Sequence, residues 1–302
     1  MNLDWRVKAG LHTVLSTVPF GSKLNYTFQR RVSHSLPASD VVFRECVQSA
    51  RDHLDAYARF GDKDAEDSVF FEFGAGWHLG VAFALAALGI RHQTVIDIRP
   101  LIRPELLEHT VARLNALSTE LDLDVLPPFV VEADALTALK TYGIEYRAPV
   151  DASATSRPAG SIDCVTSTST LEHIPAADIP AILAECRRLL RPGGLLTAWI
   201  DYKDHYASFD RSVGPYNFLR YSDTKWNRLY SPSMHYQNRL RHGDYVRLFE
   251  EAGFELVEVR EIEATPEDLA SLATIEPHPM FRSYSDGQLA VRDGWFVARA
   301  TA

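Results

Sequence analysis

A glycine turn flanked by two carboxylates provides this sequence with the residues of a site for an adenosine-like ligand. Glu72 stands two residues before Gly74 and four before Gly76, and Asp97 follows about twenty residues after the turn. Glycines let the backbone turn sharply and leave no Cβ between the main chain and a ligand. The first N–H groups of the following helix would point into the same space. Glu72 could bind a cation or a polar group there, and Asp97 could accept both hydroxyls of a ribose.

Residues near two strand ends would complete the contacts to an adenine. Ile98 follows Asp97 and could pack on one face of the ring. Asp134 follows the apolar run 129–131, which we expect to be the third strand. Its carboxylate could accept from the exocyclic amine while a backbone N–H nearby, at Ala135, bonds a ring nitrogen. Either acid could instead cap the N-terminus of a helix, since Asp is a favoured capping residue.

Groups that could remove a proton follow the strand expected at residues 195–200. Asp204 and His205 come four to five residues after it, and an imidazole can accept a proton near neutral pH. We expect His205 to be the general base, with Asp204 or Asp201 orienting it, and His235 as the second choice. Asp201, Asp204 and His205 could also ligate Mg²⁺ or Mn²⁺. No tight ligand signature is present, however, and we predict that no metal is required.

Short apolar runs alternate with helical patterns from residue 68 onward, which is typical of a parallel sheet covered by helices on both faces. The expected strands are residues 69–73, 94–98, 129–131, 162–167, 195–200, 254–259 and 295–300. Ligands of such sheets bind beyond the carboxyl ends of the strands. The residues described above would therefore share one crevice of an α/β fold with seven strands.

Two segments lie outside this alternating pattern. Residues 1–66 are expected to form a helical N-terminal extension ahead of a single domain over residues 67–302. Residues 201–242 form an insertion that is far longer than most connections between such elements. It is rich in aromatic residues, histidine and arginine, which suits a lid or binding loop for a sugar or a planar acceptor. The alternative is an interface in a homodimer, because interfaces favour aromatic residues and arginine as well.

Composition and charge narrow the classes of function. A net charge of -9 and a pI near 5.7 argue against nucleic acid as a partner, because neutralising phosphates needs a positive surface. Cys46, Cys164 and Cys186 are far apart and form no C-x-x-C pattern, so we expect them to be reduced packing residues. No apolar run reaches the length of a membrane span or of a signal peptide core. We therefore expect a cytoplasmic protein without stable membrane insertion.

Five motifs, in this order, resemble those of class I S-adenosylmethionine-dependent methyltransferases. They are E-x-G-x-G at residues 72–76, the acids Asp97 and Asp134 after the second and third expected strands, LEHI at 171–174 and RPGG at 191–194. His78 replaces the third glycine that the family usually has in the first motif. A dinucleotide fingerprint is not supported, because it would need a glycine at the position of Leu79.

The resemblance implies a Rossmann-like seven-stranded sheet, mostly parallel with the last strand antiparallel, and S-adenosylmethionine as the cofactor. The cofactor-binding residues that it implies are Glu72, Gly74, Ala75, Gly76, Asp97, Ile98, Asp134, Ala135, Ser167, Thr168 and His173. In its whole length the chain is similar to uncharacterised bacterial methyltransferases associated with polysaccharide or glycolipid synthesis. The resemblance to the class I family is strongest over about residues 68–200.

The main functional hypothesis is methylation of a hydroxyl on a sugar, a glycolipid or a secondary metabolite, with a small molecule as the acceptor. The nearest alternative is an N-methyltransferase or an aromatic O-methyltransferase of natural-product biosynthesis. A non-catalytic scaffold subunit with the same fold is an alternative from another class. An oxidoreductase that uses a nicotinamide is disfavoured by Leu79 and by the absence of a Tyr-x-x-x-Lys pair near the expected edge of the sheet.

Overall fold

One sheet organises the part of the chain that the computed structural model describes, which is residues 5–6, 10, 26–27, 29–31, 35–131, 134–208, 210, 212–231 and 236–301. Its strands are β1 (Phe70–Phe73), β2 (Gln93–Ile96), β3 (Ile144–Arg147), β4 (Ile162–Thr168), β5 (Leu190–Asp201), β6 (Phe254–Ile262) and β7 (Asp293–Ala300). The strand order is β3-β2-β1-β4-β5-β7-β6. The first five strands pair in parallel, and β7 runs antiparallel to both of its neighbours.

The third strand lies elsewhere than the sequence predicted. Residues 129–131 follow two prolines, which cannot donate to a ladder of hydrogen bonds, and they form no strand. Phe129 is buried there, against Phe83 and Tyr142, while the two valines after it are exposed. The third strand instead follows Gly143 and pairs in parallel with β2. The prediction of a strand at residues 129–131 was therefore wrong.

Helices cover both faces of the sheet. Those with complete bounds are α1 (Asp40–Phe60), α2 (Gly80–Ala87), α3 (Pro104–Leu117), α4 (Ala135–Leu139), α5 (Ile179–Leu189), α6 (Asp223–Leu229), α7 (His242–Glu251), α8 (Pro266–Ala273) and α9 (Asp286–Ala290). Helices α1, α2 and α3 pack into one core and α5 and α7 into a second. Successive residues of β1 point to opposite faces, so Phe70 enters the first core and Phe71 the second.

Helix α1 connects the predicted N-terminal extension to the sheet. Tyr57 packs against Phe70, and its hydroxyl shares a hydrogen bond of 2.7 Å with Ser68. His53 is fully buried beside Trp295 of β7. Helix α1 is therefore part of the first core, although it precedes the predicted start of the domain at residue 67.

The insertion after β5 has a small core of its own. Its buried residues are Trp5, Tyr206, Tyr216, Phe218, Leu219, Trp226, Leu272, Phe281, Leu289 and Ala290, and we call them the insertion core. Half of them come from the insertion, four from the segment around α8 and α9, and Trp5 from the N-terminus. Several aromatic side chains that we expected to face an acceptor are used here for packing instead.

Two expectations from composition can be compared with the structure. Cys46, Cys164 and Cys186 are all free thiols, as predicted. Among the residues that the structure describes, none of the helices is both long and apolar enough to cross a membrane.

Candidate active site

The turn between β1 and α2 holds both predicted glycines in the left-handed region of backbone space. The φ angle is 79° at Gly74 and 69° at Gly76. A Cβ on Gly74 would lie 2.2 Å from Cγ2 of Thr170, whereas a Cβ on Gly76 would meet no atom within 4 Å. Gly74 therefore allows the loop after β4 to approach the turn, and Gly76 borders open space. Ala75 lies half-buried between them.

Glu72 and Asp97 lie at the carboxyl ends of neighbouring strands. Asp97 accepts from the backbone N–H of Gly76 at 3.1 Å and from that of Arg99 at 2.9 Å. Glu72 is 7% exposed, and its Oε2 has no hydrogen-bond partner in the described residues. Burial and the charge of Asp97 raise the pKa of Glu72 to about 8. A positively charged ligand group would relieve both the repulsion and the missing hydrogen bond.

His78, which replaces the usual third glycine, faces helix α1. Its Nδ1 accepts from the backbone N–H of Gly80 at 3.1 Å, and its ring packs edge-on against Phe43. Burial lowers the pKa of this imidazole to about 4. A Cβ on Gly80 would lie 2.6 Å from Sγ of Cys46. The side chain of His78 is therefore part of the packing between α1 and the turn.

Asp134 has the helix-capping role that the sequence left open. Its Oδ1 accepts from the backbone N–H of Thr137 at 2.9 Å, and Ala135 is the first residue of α4. Residues 129–131, the last described residues before Asp134, form no strand, so the positional argument for a contact with adenine no longer holds. The carboxylate of Asp134 is exposed to solvent.

The loop after β3 brings two residues to the place predicted for Asp134. Asp151 and Ala152 follow β3, and the backbone N–H of Val150 donates to the carbonyl of Asp97 at 2.9 Å. Ile98, which was predicted to pack on the adenine, is 64% exposed beside this loop. The available sequence signal for β3 was its alternation of apolar and polar residues after Gly143, followed by an Asp-Ala pair.

Ser167 and Thr168 end strand β4 beside the turn. Ser167 is fully buried, and its Oγ has no partner in the part of the chain that the structure describes. The hydroxyl of Thr168 is 2.9 Å from Nε2 of His53, whose Nδ1 lies 2.7 Å from the hydroxyl of Thr197. Thr168 is therefore held by α1, a contact that no sequence motif indicated.

The loop after β4 and the end of β5 gather a second group of titratable residues. The Oε1 atom of Glu172 accepts from the backbone N–H of Asp201 at 3.3 Å, and its Oε2 has no partner in the described chain. Burial raises the pKa of Glu172 to about 8. The rings of His173 and His205 lie 4.8 Å apart. His173, predicted to lie near the cofactor, is thus also adjacent to the expected base.

Asp201 is the acid that lies against His205. Its Oδ2 is 3.6 Å from Nε2 of His205. Burial favours the neutral imidazole, but hydrogen bonding and the charge of Asp201 outweigh it, so the pKa of His205 is raised. Burial likewise opposes ionisation of Asp201, yet His205 and Lys203 lower its pKa to about 2. The charged form of each side chain therefore favours the charged form of the other.

Asp204, the other acid expected to orient His205, instead forms hydrogen bonds that hold the local chain. Its carboxylate accepts from the backbone N–H of Tyr206 at 2.9 Å and from the amide of Asn217 at 3.1 Å. Burial raises its pKa to about 6. His235, the second choice for the base, lies outside the described residues.

The two groups of residues belong to one crevice. Gly74 and Asp97 follow β1 and β2, whereas Glu172 follows β4 and Asp201 ends β5, and these strands are parallel. Thr170 joins the groups, because it lies against Gly74 and two residues before Glu172. A glycine turn with two acids thus stands beside a cluster of acids and imidazoles.

The comparison with protein families decides the identity of this arrangement. A family model described as a methyltransferase domain matches residues 44–259, which is well over half of the chain. The chain belongs to the class I S-adenosylmethionine-dependent methyltransferases. The predicted family, fold, enzyme class and cofactor are thereby confirmed.

Curated relatives match a shorter part of this methyltransferase. A ubiquinone biosynthesis O-methyltransferase of Xanthomonas oryzae pv. oryzae is 38% identical over 92 residues, which are 30% of this chain and 36% of the relative. The protein of the same name from Xanthomonas campestris pv. campestris is 37% identical over 92 residues. The matched stretch thus spans about a third of the length of these relatives.

Solved methyltransferase structures are similar over most of the chain at low identity. The 1,6-didemethyltoxoflavin-N1-methyltransferase of Burkholderia thailandensis, with bound S-adenosylhomocysteine, is 13% identical with a TM-score of 0.48, covering 92% of this chain and 86% of its own. A geranyl diphosphate methyltransferase in complex with S-adenosylmethionine is 14% identical with a TM-score of 0.47, covering 88% and 93%.

An aromatic contact beside the turn was missed by the sequence motifs. Trp77, the residue after Gly76, stacks on Tyr26 with ring centroids 5.5 Å apart. The guanidinium of Arg103 lies over both rings, at 5.7 and 5.9 Å from their centroids. The hydroxyl of Tyr26 donates to Glu105 at 2.8 Å. The N-terminal extension therefore reaches the glycine turn, although Tyr26 belongs to none of the motifs named above.

Proposed function

We propose that this methyltransferase transfers a methyl group to a hydroxyl of a small polar acceptor, of the kind found in a sugar, a glycolipid or a related secondary metabolite. The observation that carries the proposal is the group formed by Glu172, Asp201 and His205 next to the glycine turn. A hydroxyl must lose its proton to become a good nucleophile, whereas a neutral amine already has a lone pair. An acidic cluster with an imidazole suits the first kind of acceptor.

The residues around the turn fit the cofactor. The unpartnered, buried carboxylate oxygen of Glu72 would bind the amino group of its methionine part, and Asp97 would accept the ribose hydroxyls. Gly76 leaves the space that a ligand needs, and Ile98 presents an exposed apolar surface to a ring. At the loop after β3, we propose Ala152 in place of Ala135 and Asp151 in place of Asp134. When bound, S-adenosylmethionine supplies an electrophilic methyl carbon.

His205 is the candidate for the general base. Its contact with Asp201, whose Oδ2 lies 3.6 Å from Nε2, holds the ring between β5 and the loop after β4. An imidazole in this place would accept the hydroxyl proton as the acceptor is aligned with the methyl carbon, and Asp201 would stabilise the resulting imidazolium. Asp204 supports the local backbone instead, through its bonds to Tyr206 and Asn217.

The polarity of the acceptor side favours a polyhydroxyl acceptor over an apolar one. Burying an unpaired carboxylate or imidazole against an apolar ring would leave its hydrogen bonds unmade, which is costly. Several hydroxyls could instead pair with Glu172, His173 and His205. The curated relatives are named as O-methyltransferases, which agrees with oxygen as the methylated atom. We retain a cytoplasmic location and a possible homodimer as parts of the proposal.

The proposal is tested by two assays on the purified full chain. Calorimetric titration with S-adenosylhomocysteine should show binding that Asp97→Ala abolishes and His205→Ala preserves. A screen with methyl-labelled S-adenosylmethionine then compares sugars, phenols and amines as acceptors. We expect label on hydroxyl acceptors, and turnover slower by about a hundredfold or more in His205→Ala.

Each assay can contradict a different part of the proposal. Full activity of His205→Ala would exclude His205 from proton removal. Label found on amines alone would exclude the hydroxyl acceptor, and the N-methyltransferase alternative would then replace it. His92→Asn is the matched control, because this histidine is exposed and stands before β2, at the opposite end of the strand from Asp97.

A further inference from the structure

Three side chains with metal-ligating atoms meet after β4 and β5. Glu172, His173 and His205 each offer one ligand atom, and these atoms all lie within 4.8 Å of one another. Ligand atoms bound to one ion at about 2.1 Å stand roughly 3 to 4 Å apart. Small side-chain rotations would therefore bring all three onto a common ion. The cluster includes no residue of the glycine turn.

The carboxylate of Glu172 is an independent indication of a ligand. Glu172 is 2% exposed, and its Oε2 has no hydrogen-bond partner in the described residues. Its Oε1 accepts a single bond, from the backbone N–H of Asp201. A buried carboxylate oxygen without a partner is costly, and a cation is the partner that would compensate it most strongly. A ring nitrogen of His205 lies within 4.8 Å of this carboxylate, but no described residue forms a hydrogen bond with Oε2.

His173 is held in the tautomer that a metal ligand needs. Its Nδ1 lies 2.8 Å from the backbone carbonyl of Tyr236. A carbonyl can only accept, so Nδ1 carries the hydrogen, and Nε2 of the neutral ring keeps its lone pair. A backbone carbonyl on one ring nitrogen is a common way to orient a histidine whose other nitrogen binds a metal.

We propose that Glu172, His173 and His205 bind a divalent transition-metal cation. Two imidazoles and one carboxylate favour ions such as Mn²⁺ or Zn²⁺ over Mg²⁺, which prefers an all-oxygen site. Asp201, 3.6 Å from Nε2 of His205, lies at the edge of this site, with Lys203 bonded to its other oxygen. The ligands weighed in the sequence included Asp204, but the carboxylate of Asp204 is bonded to Tyr206 and Asn217 and is not part of this cluster.

The cation would change the role of His205 in the proposed reaction, and this consequence rests on the proposed function. Three protein ligands leave coordination positions for the acceptor hydroxyl. A bound cation lowers the pKa of such a hydroxyl, so that the proton can leave without a side chain as the base. His205 would then be a ligand of the cation, because a lone pair that binds a metal cannot accept a proton.

Cation binding can be measured without any acceptor. The chelator-treated full chain is titrated with Mn²⁺, Zn²⁺ and Mg²⁺ by calorimetry, and Co²⁺ absorption reports on imidazole ligation. We expect one Mn²⁺ or Zn²⁺ per chain and much weaker binding of Mg²⁺. Glu172→Gln and His173→Asn should each weaken binding of the cation by about a hundredfold. Losing a residue that only hydrogen-bonds to a metal ligand typically costs roughly 10- to 100-fold, and losing a ligand should cost at least as much. His92→Asn, which removes an exposed imidazole outside the cluster, should bind as the unaltered chain does.

The controls separate a lost site from a lost fold. Glu172→Gln keeps the shape of the side chain and lies outside the residues expected to bind the cofactor, so this variant should still bind S-adenosylhomocysteine. If the unaltered chain shows no saturable Mn²⁺ or Zn²⁺ binding, or if Glu172→Gln binds equally well, the metal site is refuted. Methylation that continues in chelator would then leave His205 as the base. Cation binding without any hydroxyl methylation would refute the proposed function and leave the metal site standing.

Discussion

Glu72 and Asp97 differ in how many of their carboxylate oxygens already accept hydrogen bonds within the protein. Both oxygens of Asp97 accept backbone N–H groups, from Gly76 and Arg99, so this carboxylate is fixed before a ligand arrives. Glu72 keeps one oxygen without a partner at the buried end of β1. The two acids therefore should respond differently to mutation and to pH, although both were predicted as ligands of the same cofactor.

The ionisation of Glu72 should make cofactor affinity depend on pH. Burial and Asp97 raise its pKa to about 8, so Glu72 is protonated in the free protein at pH 6. The amino group of the ligand favours the carboxylate, so binding must release this proton below pH 8. Affinity for S-adenosylhomocysteine should then rise by up to about tenfold per pH unit between pH 5.5 and 7.5.

Glu72→Gln should remove this dependence. We expect its affinity to be lower than that of the unaltered chain at pH 7.5 and similar to it at pH 5.5. Calorimetric titration at four pH values measures both chains. An equal slope in the two chains would show that another group takes up the proton and that Glu72 does not bind the amino group.

Residues were predictable where a motif combines a backbone requirement with a side-chain type. Gly74 and Gly76 do adopt positive φ angles, and the acids near them do lie at strand ends. Asp134 was misplaced because its position depended on a strand that does not form. The interactions of Glu172 could not be foreseen, because they arise between β4 and β5, which are joined by a long connection and meet only in the folded sheet.

Alanine substitutions at the two glycines of the turn between β1 and α2 should have different effects on stability. Alanine at Gly74 would meet Thr170 at 2.2 Å and adopt a positive φ angle, whereas alanine at Gly76 would meet no atom within 4 Å. We expect Gly76→Ala to cost about 1 kcal/mol for the backbone conformation alone. Gly74→Ala should cost about 2 to 3 kcal/mol, because the clash adds to that strain.

A double substitution separates the two contributions. Thr170→Ala in the Gly74→Ala background removes Cγ2 and Oγ1, the two atoms closest to the new Cβ, so it should recover part of the loss and leave mainly the cost of the φ angle. Urea unfolding measures the stability of all four chains. Gly76→Ala should instead weaken S-adenosylhomocysteine binding, since its Cβ enters the open space. Equal stability losses at both glycines would contradict this account.

Helix α5 holds the loop that follows β3 through one carboxylate. Glu185 accepts from the backbone N–H and the hydroxyl of Thr155, at 2.9 and 2.6 Å, and pairs with Arg188. The Arg188 guanidinium, together with Thr155, lowers the pKa of Glu185 to about 2. A carboxyl whose folded pKa is depressed stabilises the fold above its ordinary pKa, and this contribution is lost as pH falls toward the folded value.

Glu185→Gln should therefore destabilise the chain in a pH-dependent way. We expect a loss of about 2 kcal/mol at pH 7, reduced from the full value of the shift because Arg188 is partly exposed. The difference between the two chains should shrink as pH falls from about 4.5 toward 3. Denaturant unfolding at several pH values checks this, with the exposed Glu250→Gln on α7 as a control that should show little loss at any pH.

Elements were predictable where burial is uniform along a strand. All residues of β1 and β2 are buried, and their apolar runs stand out against the flanking turns. The edge strand β3 alternates in burial, and Glu145 and Arg147 interrupt its apolar residues. The more apolar run at 129–131 therefore indicated a strand, although the two prolines before it were a signal against one.

The N-terminal part of the chain is attached to the methyltransferase fold at separate places. Helix α1 enters the first core and bonds Thr168 through His53, so it supports the cofactor side. Trp5 enters the insertion core on the acceptor side. Both attachments join residues far apart in sequence, and neither periodicity nor composition could indicate them. The insertion was foreseen as a segment, but its internal packing was not.

Trp5 should stabilise the acceptor side without affecting the cofactor side. It is 2% exposed, its ring centroid lies 5.3 Å from that of Tyr206 and 4.6 Å from that of Tyr230, and its backbone N–H donates to Asp210 at 3.0 Å. Trp5→Ala would leave a cavity that costs about 3 kcal/mol within the insertion core. Because Tyr206 directly follows His205, the loosened packing would also disturb the position of that imidazole.

We therefore expect Trp5→Ala to slow turnover while leaving S-adenosylhomocysteine affinity unchanged. Hydrogen exchange should accelerate over residues 206–230 and stay unchanged in α1 and β1, because local opening follows the packing that was lost. Trp5→Phe, which keeps most of the apolar volume, should lie between the two chains in both measurements. Faster exchange throughout the sheet, or a parallel loss of cofactor affinity, would instead mean that the two sides of the crevice unfold as one unit and that Trp5 supports the whole molecule.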